Sequence, residues 1–146
     1  MRVGNSRSSN NPKTLLEQKE EGRAGSIARL NYTKRWMLAL HTYAEEHEDR
    51  FPTTFDQATR YWPGDEAKEE IHLMPEDFEI VYQGSLDTLT NAQNIIVIRE
   101  RQARQYFDGN WAKAYVFADG HSEIHSAPTG DFESFEKKHF IPPPNP

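Results

Sequence analysis

Residues 111–125 read WAKAYVFADGHSEIH, two short runs rich in aromatic and β-branched side chains around Asp119-Gly120. An Asp-Gly pair between such runs is a strong local signal for a β-hairpin, because a two-residue type I′ loop needs positive φ at both central positions. With those two residues as the loop, Ala118 faces His121, Phe117 faces Ser122 and Tyr115 faces Ile124. Side chains alternate along a strand, so Tyr115, Phe117 and Ile124 share one face and Ala114, Val116, Glu123 and His125 the other. The first is expected to be the core face and the second to be at least partly wet. A slip of one residue would exchange the two.

The rest of the chain reads as material to cover that hairpin. Ser26 is positioned to cap a helix running to about residue 48, with Tyr32, Trp36, Ala39, Leu40, Tyr43 and His47 on one stripe, flanked by Met37 and Ala44. Trp36 and Tyr43 are therefore expected to lie against Tyr115, Phe117 and Ile124. Asn31, Lys34, Arg35, Thr42 and Glu45 fall on the opposite face, where Ile27 and Leu38 interrupt the polar pattern. A partner could use that pair, although scattered exposed apolar residues are ordinary. Arg50-Phe51-Pro52 ends the helix, since the residue before proline avoids helical backbone.

Thr53 or Thr54 caps a short helix through Tyr61, and the acidic stretch 65–73 is a second short helical segment. Residues 78–83 alternate as a strand. Residues 94–101 hold four consecutive β-branched side chains, Ile95 to Ile98, the mark of a central strand covered on both faces. Residues 84–93 form a loop or a turn of helix, and 102–110 a linker with a second turn signal, Asp108-Gly109. Asp131 caps a closing helix that puts Phe132, Phe135 and His139 on one face.

The expected architecture is α+β: one long N-terminal amphipathic helix on a small, mostly antiparallel sheet of about four strands, then a short C-terminal helix. Residues 1–25 read as a flexible tail or linker with a short helical stretch over 14–21, residues 26–141 as the domain, and 142–146 as an extended proline-rich tail.

Composition narrows the function classes. A formal charge of −6 disfavours direct nucleic-acid contact, which draws on surplus Lys and Arg. With no cysteine there is no disulfide, thiolate metal site or cysteine nucleophile. No apolar run approaches the ~20 residues needed to span a bilayer, and the expected location is cytoplasmic.

Candidate chemistry is sparse. His121 and His125, four residues apart on a strand, would lie about 13 Å apart and could not share an ion. His41 and His47 fall on different helix faces, and Glu69-Glu70-Ile71-His72 lacks the second histidine of a zinc-protease helix. Glu45, Glu46, Glu48 and Asp49 read as a solvated helix end rather than an acid–base pair. Arg99, Arg101 and Arg104, near Tyr106, Trp111 and Lys113, suit either a single-stranded nucleic acid or a charged strand edge that resists sheet-to-sheet pairing, and the second is favoured. Asp119 reads as a turn residue, with a calcium ligand as the alternative. The expectation is no catalytic, cofactor-binding or metal-binding residue, no cofactor and no enzymatic activity.

Two stretches carry a resemblance. LNYTKRWMLALHTYAEEHEDRFP, residues 30–52, resembles the first soluble segment of bacterial pseudopilins: an amphipathic helix, Tyr-Ala near its end, an acidic turn, then Phe-Pro. AYVFADGHSEI, residues 114–124, resembles the C-terminal hairpin of the same prepilin-type proteins, with its Phe-Ala-Asp-Gly-His motif. Thr14-Leu15-Leu16-Glu17 echoes the prepilin signature, but Gln18-Lys19-Glu20-Glu21-Gly22 stands where the apolar membrane helix would begin. The chain is thus more similar to soluble versions appended to extracytoplasmic-function sigma factors. The resemblance implies a pilin-like module without a membrane anchor that works through a protein partner. The alternatives are a C-terminal regulatory domain acting with such a sigma factor in transcription, and a small-ligand or calcium-binding module.

Overall fold

The computed structural model describes residues 13–63, 73–85 and 89–140. Residues 1–12 and 142–146, read above as parts of tails, lie outside the described residues, as does the acidic stretch 65–73 except for Leu73.

A helix, α1 (Leu15–Glu45), opens the fold. It begins twelve residues before the start expected from a Ser26 cap. Thr14 is the cap: its hydroxyl accepts the Glu17 N–H at 3.1 Å while the Glu17 carboxylate accepts the Thr14 N–H at 2.8 Å. Ser26 instead lies inside the helix, with its hydroxyl against the Tyr106 hydroxyl. The polar run 17–23 conceals the start because it buries little, and the reciprocal Thr14–Glu17 bonds carry it. After α1 the chain reverses through Glu48 and Asp49, both left-handed at φ 59° and 62°, and the Asp49 N–H returns to the Ala44 carbonyl. A 3-10 turn, Phe55–Tyr61, follows Thr54, with the Gln57 amide oxygen accepting the Thr53 and Thr54 N–H groups.

Among the described residues, five strands make one antiparallel sheet: β1 (Phe78–Ile80), β2 (Ile96–Glu100), β3 (Arg104–Gln105), β4 (Trp111–Phe117) and β5 (Ser122–Ala127). A seven-residue helix, α2 (Glu133–His139), closes the chain, and the Asp131 carboxylate accepts the Glu133 N–H at 3.0 Å. The α+β class is therefore as read from the sequence. β4 is the central strand. β5 pairs along residues 111–116 on one edge, so β2 (at 115–117) and β3 (at 111–112) share the other edge, with β1 outside β2.

The β4–β5 register differs by one residue from the expected one. Tyr115 pairs with Glu123, Ala114 with Ile124, and the Phe117 N–H reaches the His121 carbonyl at 2.9 Å. The loop is thus the three residues Ala118, Asp119 and Gly120. Gly120 has positive φ, 98°, and Asp119 does not, which excludes a type I′ turn and fits a type I turn closed by a left-handed glycine. The shift moves Ile124 to the face of Ala114 and Val116.

Both faces of β4 are buried. Ala114, Val116 and Ala118 join α1 (Trp36, Met37, Leu40) in the main core cluster, whereas Tyr115 and Phe117 lie on the reverse face with Ile96 and Phe132. Trp36 therefore does not lie against Tyr115 and Phe117. Its ring packs on Phe55 and Trp62, at centroid separations of 4.7 and 4.8 Å. The helix meets small side chains on β4, which let it sit close to the sheet, and the large ones project toward α2. A bulge at Val97 assists: Ile96 points to the α2 side, while both Val97 and Ile98 turn toward α1.

Candidate functional site

Among the described residues, charged groups in the interior form two nodes, one under each helix. Glu100 on β2 is almost fully buried, and its carboxylate accepts from the Arg29 Nε of α1 at 2.7 Å and from the Ala114 N–H at 3.0 Å. Arg104 approaches the same oxygen as Arg29, at 3.5 Å. On the reverse face Glu136 of α2 accepts from Arg99 at 2.6 Å, Lys113 at 2.7 Å and the Tyr115 hydroxyl at 2.8 Å. Burial alone would push the Glu136 carboxyl up. Hydrogen bonds from Lys113 and Tyr115, with the charges of Lys113 and Arg99, outweigh it and hold the group below the usual carboxylate range. The Tyr115 phenol is pushed far up by its burial and then by its bond to that carboxylate. Both nodes saturate their acids with cations and N–H or O–H donors. They fasten helix to sheet and leave no oxygen poised for proton transfer to a substrate.

The arginine cluster is absorbed into these nodes. Arg99 also binds Glu79 at 2.5 Å, and Arg101 reaches the other Glu79 oxygen at 3.1 Å. Arg99 does not mark a strand edge, because β2 lies between β1 and β4. The sequence shows the arginines but not their carboxylates, which come from β1, β2 and α2.

Asp119 is held by its own turn: its carboxylate accepts the His121 N–H at 3.1 Å and meets the His121 ring at 2.5 Å. Partial burial raises that carboxyl, and the bonds to His121 lower it by more. Asp108 makes the same bond to the Asn110 N–H in the β3–β4 turn, where Gly109 has φ 90°. The second Asp-Gly pair thus builds a second hairpin of the same kind.

The described histidines pack against rings. His121 stacks on Phe117, His125 on Phe135 and His47 on Tyr43, and His41 meets the edge of Phe51, where burial lowers its pKa against the opposing charge of Glu45. No three His, Cys, Asp or Glu side chains among the described residues are grouped to hold a metal ion. Glu46 of the acidic helix end accepts the Tyr61 hydroxyl at 2.7 Å. Glu69-Glu70-Ile71-His72 lies outside the described residues.

The remaining feature is on the outside. α1 exposes Leu15, Leu16, Ile27 and Leu38 by 63%, 64%, 50% and 59%; from Gly25 onward its other side is committed to the sheet, whereas residues 15–24 include none that is buried. Leu16, Ile27 and Leu38 are evenly spaced in sequence, eleven apart. At 100° per residue that spacing is three turns plus about 20°, so they form one nearly straight row along about 33 Å of helix. The pair Ile27 and Leu38 was visible in the sequence; the late start assigned to the helix hid Leu16. No described helix is long and apolar enough to cross a membrane. In comparisons with known proteins the chain matches no family model, no curated protein and no solved structure.

Proposed function

We propose that this chain is a non-enzymatic, pilin-like interaction module whose contact surface is the outer face of α1. The observation that carries the reading is the row Leu16, Ile27 and Leu38. Ile27 and Leu38 are held in water on a stretch of helix whose opposite face is buried, and Leu16 continues their row on the first turns of α1, which bury no residue. Isolated exposed leucines are commonplace, but a straight, evenly spaced row on a rigid element suits recognition by another helix. The pilin-like part is supported by the position of the two motifs. Phe51-Pro52 is buried directly after the long helix, and Phe117-Ala118-Asp119-Gly120-His121 forms the β4–β5 turn.

Site-specific photo-crosslinking in cells tests the reading. With p-benzoylphenylalanine in place of Leu38, we expect a discrete crosslinked polypeptide. The same probe in place of Lys137, an exposed residue of α2, should give none. Equal crosslinking from both positions, or none from position 38, would defeat the assignment of this surface.

A further inference from the structure

The outer face of α1 has an order beyond its apolar row. On the same stripe as Leu16, Ile27 and Leu38 lie the exposed residues Glu20, Arg23, Asn31 and Lys34, while Glu17, Lys19, Glu21 and Ala24 are exposed beside it. Together they follow an eleven-residue period of three turns, the spacing that keeps a stripe in register along a nearly straight helix. The row is also symmetric about Ile27. Leu16 and Leu38 lie equally far on either side of it, and so, within the same stretch, do Glu20 and Lys34.

We infer that the partner is a second copy of this chain, docked antiparallel with Ile27 on the two-fold axis. The proposal rests on the reading of α1 as the contact surface and names its occupant. An antiparallel pair centred on Ile27 brings each Leu16 level with the partner's Leu38, and each Glu20 level with the partner's Lys34. All four sit within about 20° of the line through Ile27, so side chains meet across the axis rather than on opposite flanks. A parallel pair would align Glu20 with Glu20 and Lys34 with Lys34 at the same heights. Charge complementarity therefore selects the antiparallel arrangement. With three apolar residues per helix the contact falls in the small, transient class, and the dimer is expected to dissociate on dilution.

The chain has no cysteine, so single introduced thiols report the geometry without background. On mild oxidation of the full chain, Ile27→Cys should give a covalent dimer. Leu16→Cys alone and Leu38→Cys alone should not, since each thiol is about 33 Å from its twin in this arrangement. A mixture of those two variants should crosslink. Sedimentation equilibrium should give a dimer Kd below about 1 mM. Glu20→Lys should weaken it at least about fivefold, with two like-charge contacts replacing two ion pairs, and Glu20→Lys with Lys34→Glu should return it to within about twofold. Self-crosslinking of Leu16→Cys or Leu38→Cys, failure of the charge exchange to restore association, or a strictly monomeric chain at about 1 mM would each overturn the proposal. A monomeric chain that still crosslinks a different polypeptide through position 38 would overturn this inference and leave the interaction surface standing.

Discussion

Single residues decide which way the hairpin faces. Gly120 sits at φ 98° with open space where a Cβ would go, so a side chain there meets a conformational penalty and no clash. Gly120→Ala should therefore cost roughly 1–2 kcal/mol in urea denaturation. Asp119→Asn should cost under about 1 kcal/mol, because an amide oxygen can still accept the His121 N–H and Asn suits the turn. Calcium should not raise the melting temperature of either protein. A calcium-dependent rise that disappears in Asp119→Asn would reinstate a cation site at this turn. On α1 the contrast lies between Trp36, 5% exposed among Phe55 and Trp62, and Leu38, 59% exposed. Trp36→Ala should cost on the order of 3–5 kcal/mol, and Leu38→Ala under about 1 kcal/mol, measured at concentrations where the chain is monomeric. Comparable losses would mean that the helix is rotated from the phase described.

At the scale of elements, α2 is seven residues long and too short to persist without tertiary support. Glu136 supplies that support through Lys113, Tyr115 and Arg99. Because its carboxyl is held below the ordinary value, its contribution is fully present above the unfolded pKa of about 4.3 and is lost as pH falls through the folded pKa. Glu136→Gln leaves Lys113 buried without its anion and should cost about 3 kcal/mol at pH 7. The difference from the unaltered chain should be smaller at pH 3, below the unfolded pKa, because the stability linked to a lowered carboxyl pKa declines as pH falls through that range. Denaturation midpoints at the two pH values measure this, and a gap of the same size at both would contradict the charged latch.

For the whole molecule, local patterns were legible and pairings were not. The run Ile95 to Ile98 announced a strand covered on both faces, whereas the helix ends fell near and not at their expected places: α1 stops at Glu45, three residues before 48, and the N-cap of α2 is Phe132 rather than Asp131. What escaped depended on distant partners or on one residue of register. Asp-Gly signals a hairpin equally well with a two- or a three-residue loop, and only the longer loop puts Tyr115 and Phe117 toward α2. Asp108-Gly109 carried the same signal but flanked a strand of two residues, too short to show alternation. Arg99 of β2 read as a strand edge because nothing in sequence placed Glu79 and Glu136 beside it. Leu16 is not legible as part of the row because nothing local joins the helical stretch 14–21 to the helix that follows it.

The central claim is that the sheet is covered on both sides, with α1 on the Ala114–Val116 face and α2 on the Tyr115–Phe117 face. Through-space proton contacts from the Tyr115 ring test it most directly. The ring centre lies 5.1 Å from that of Phe135 in α2, so strong cross-peaks between these two rings are expected, with none from Tyr115 to Trp36. Cross-peaks from Tyr115 to Trp36 or Leu40, with none to Phe135, would restore the two-residue turn and contradict the architecture.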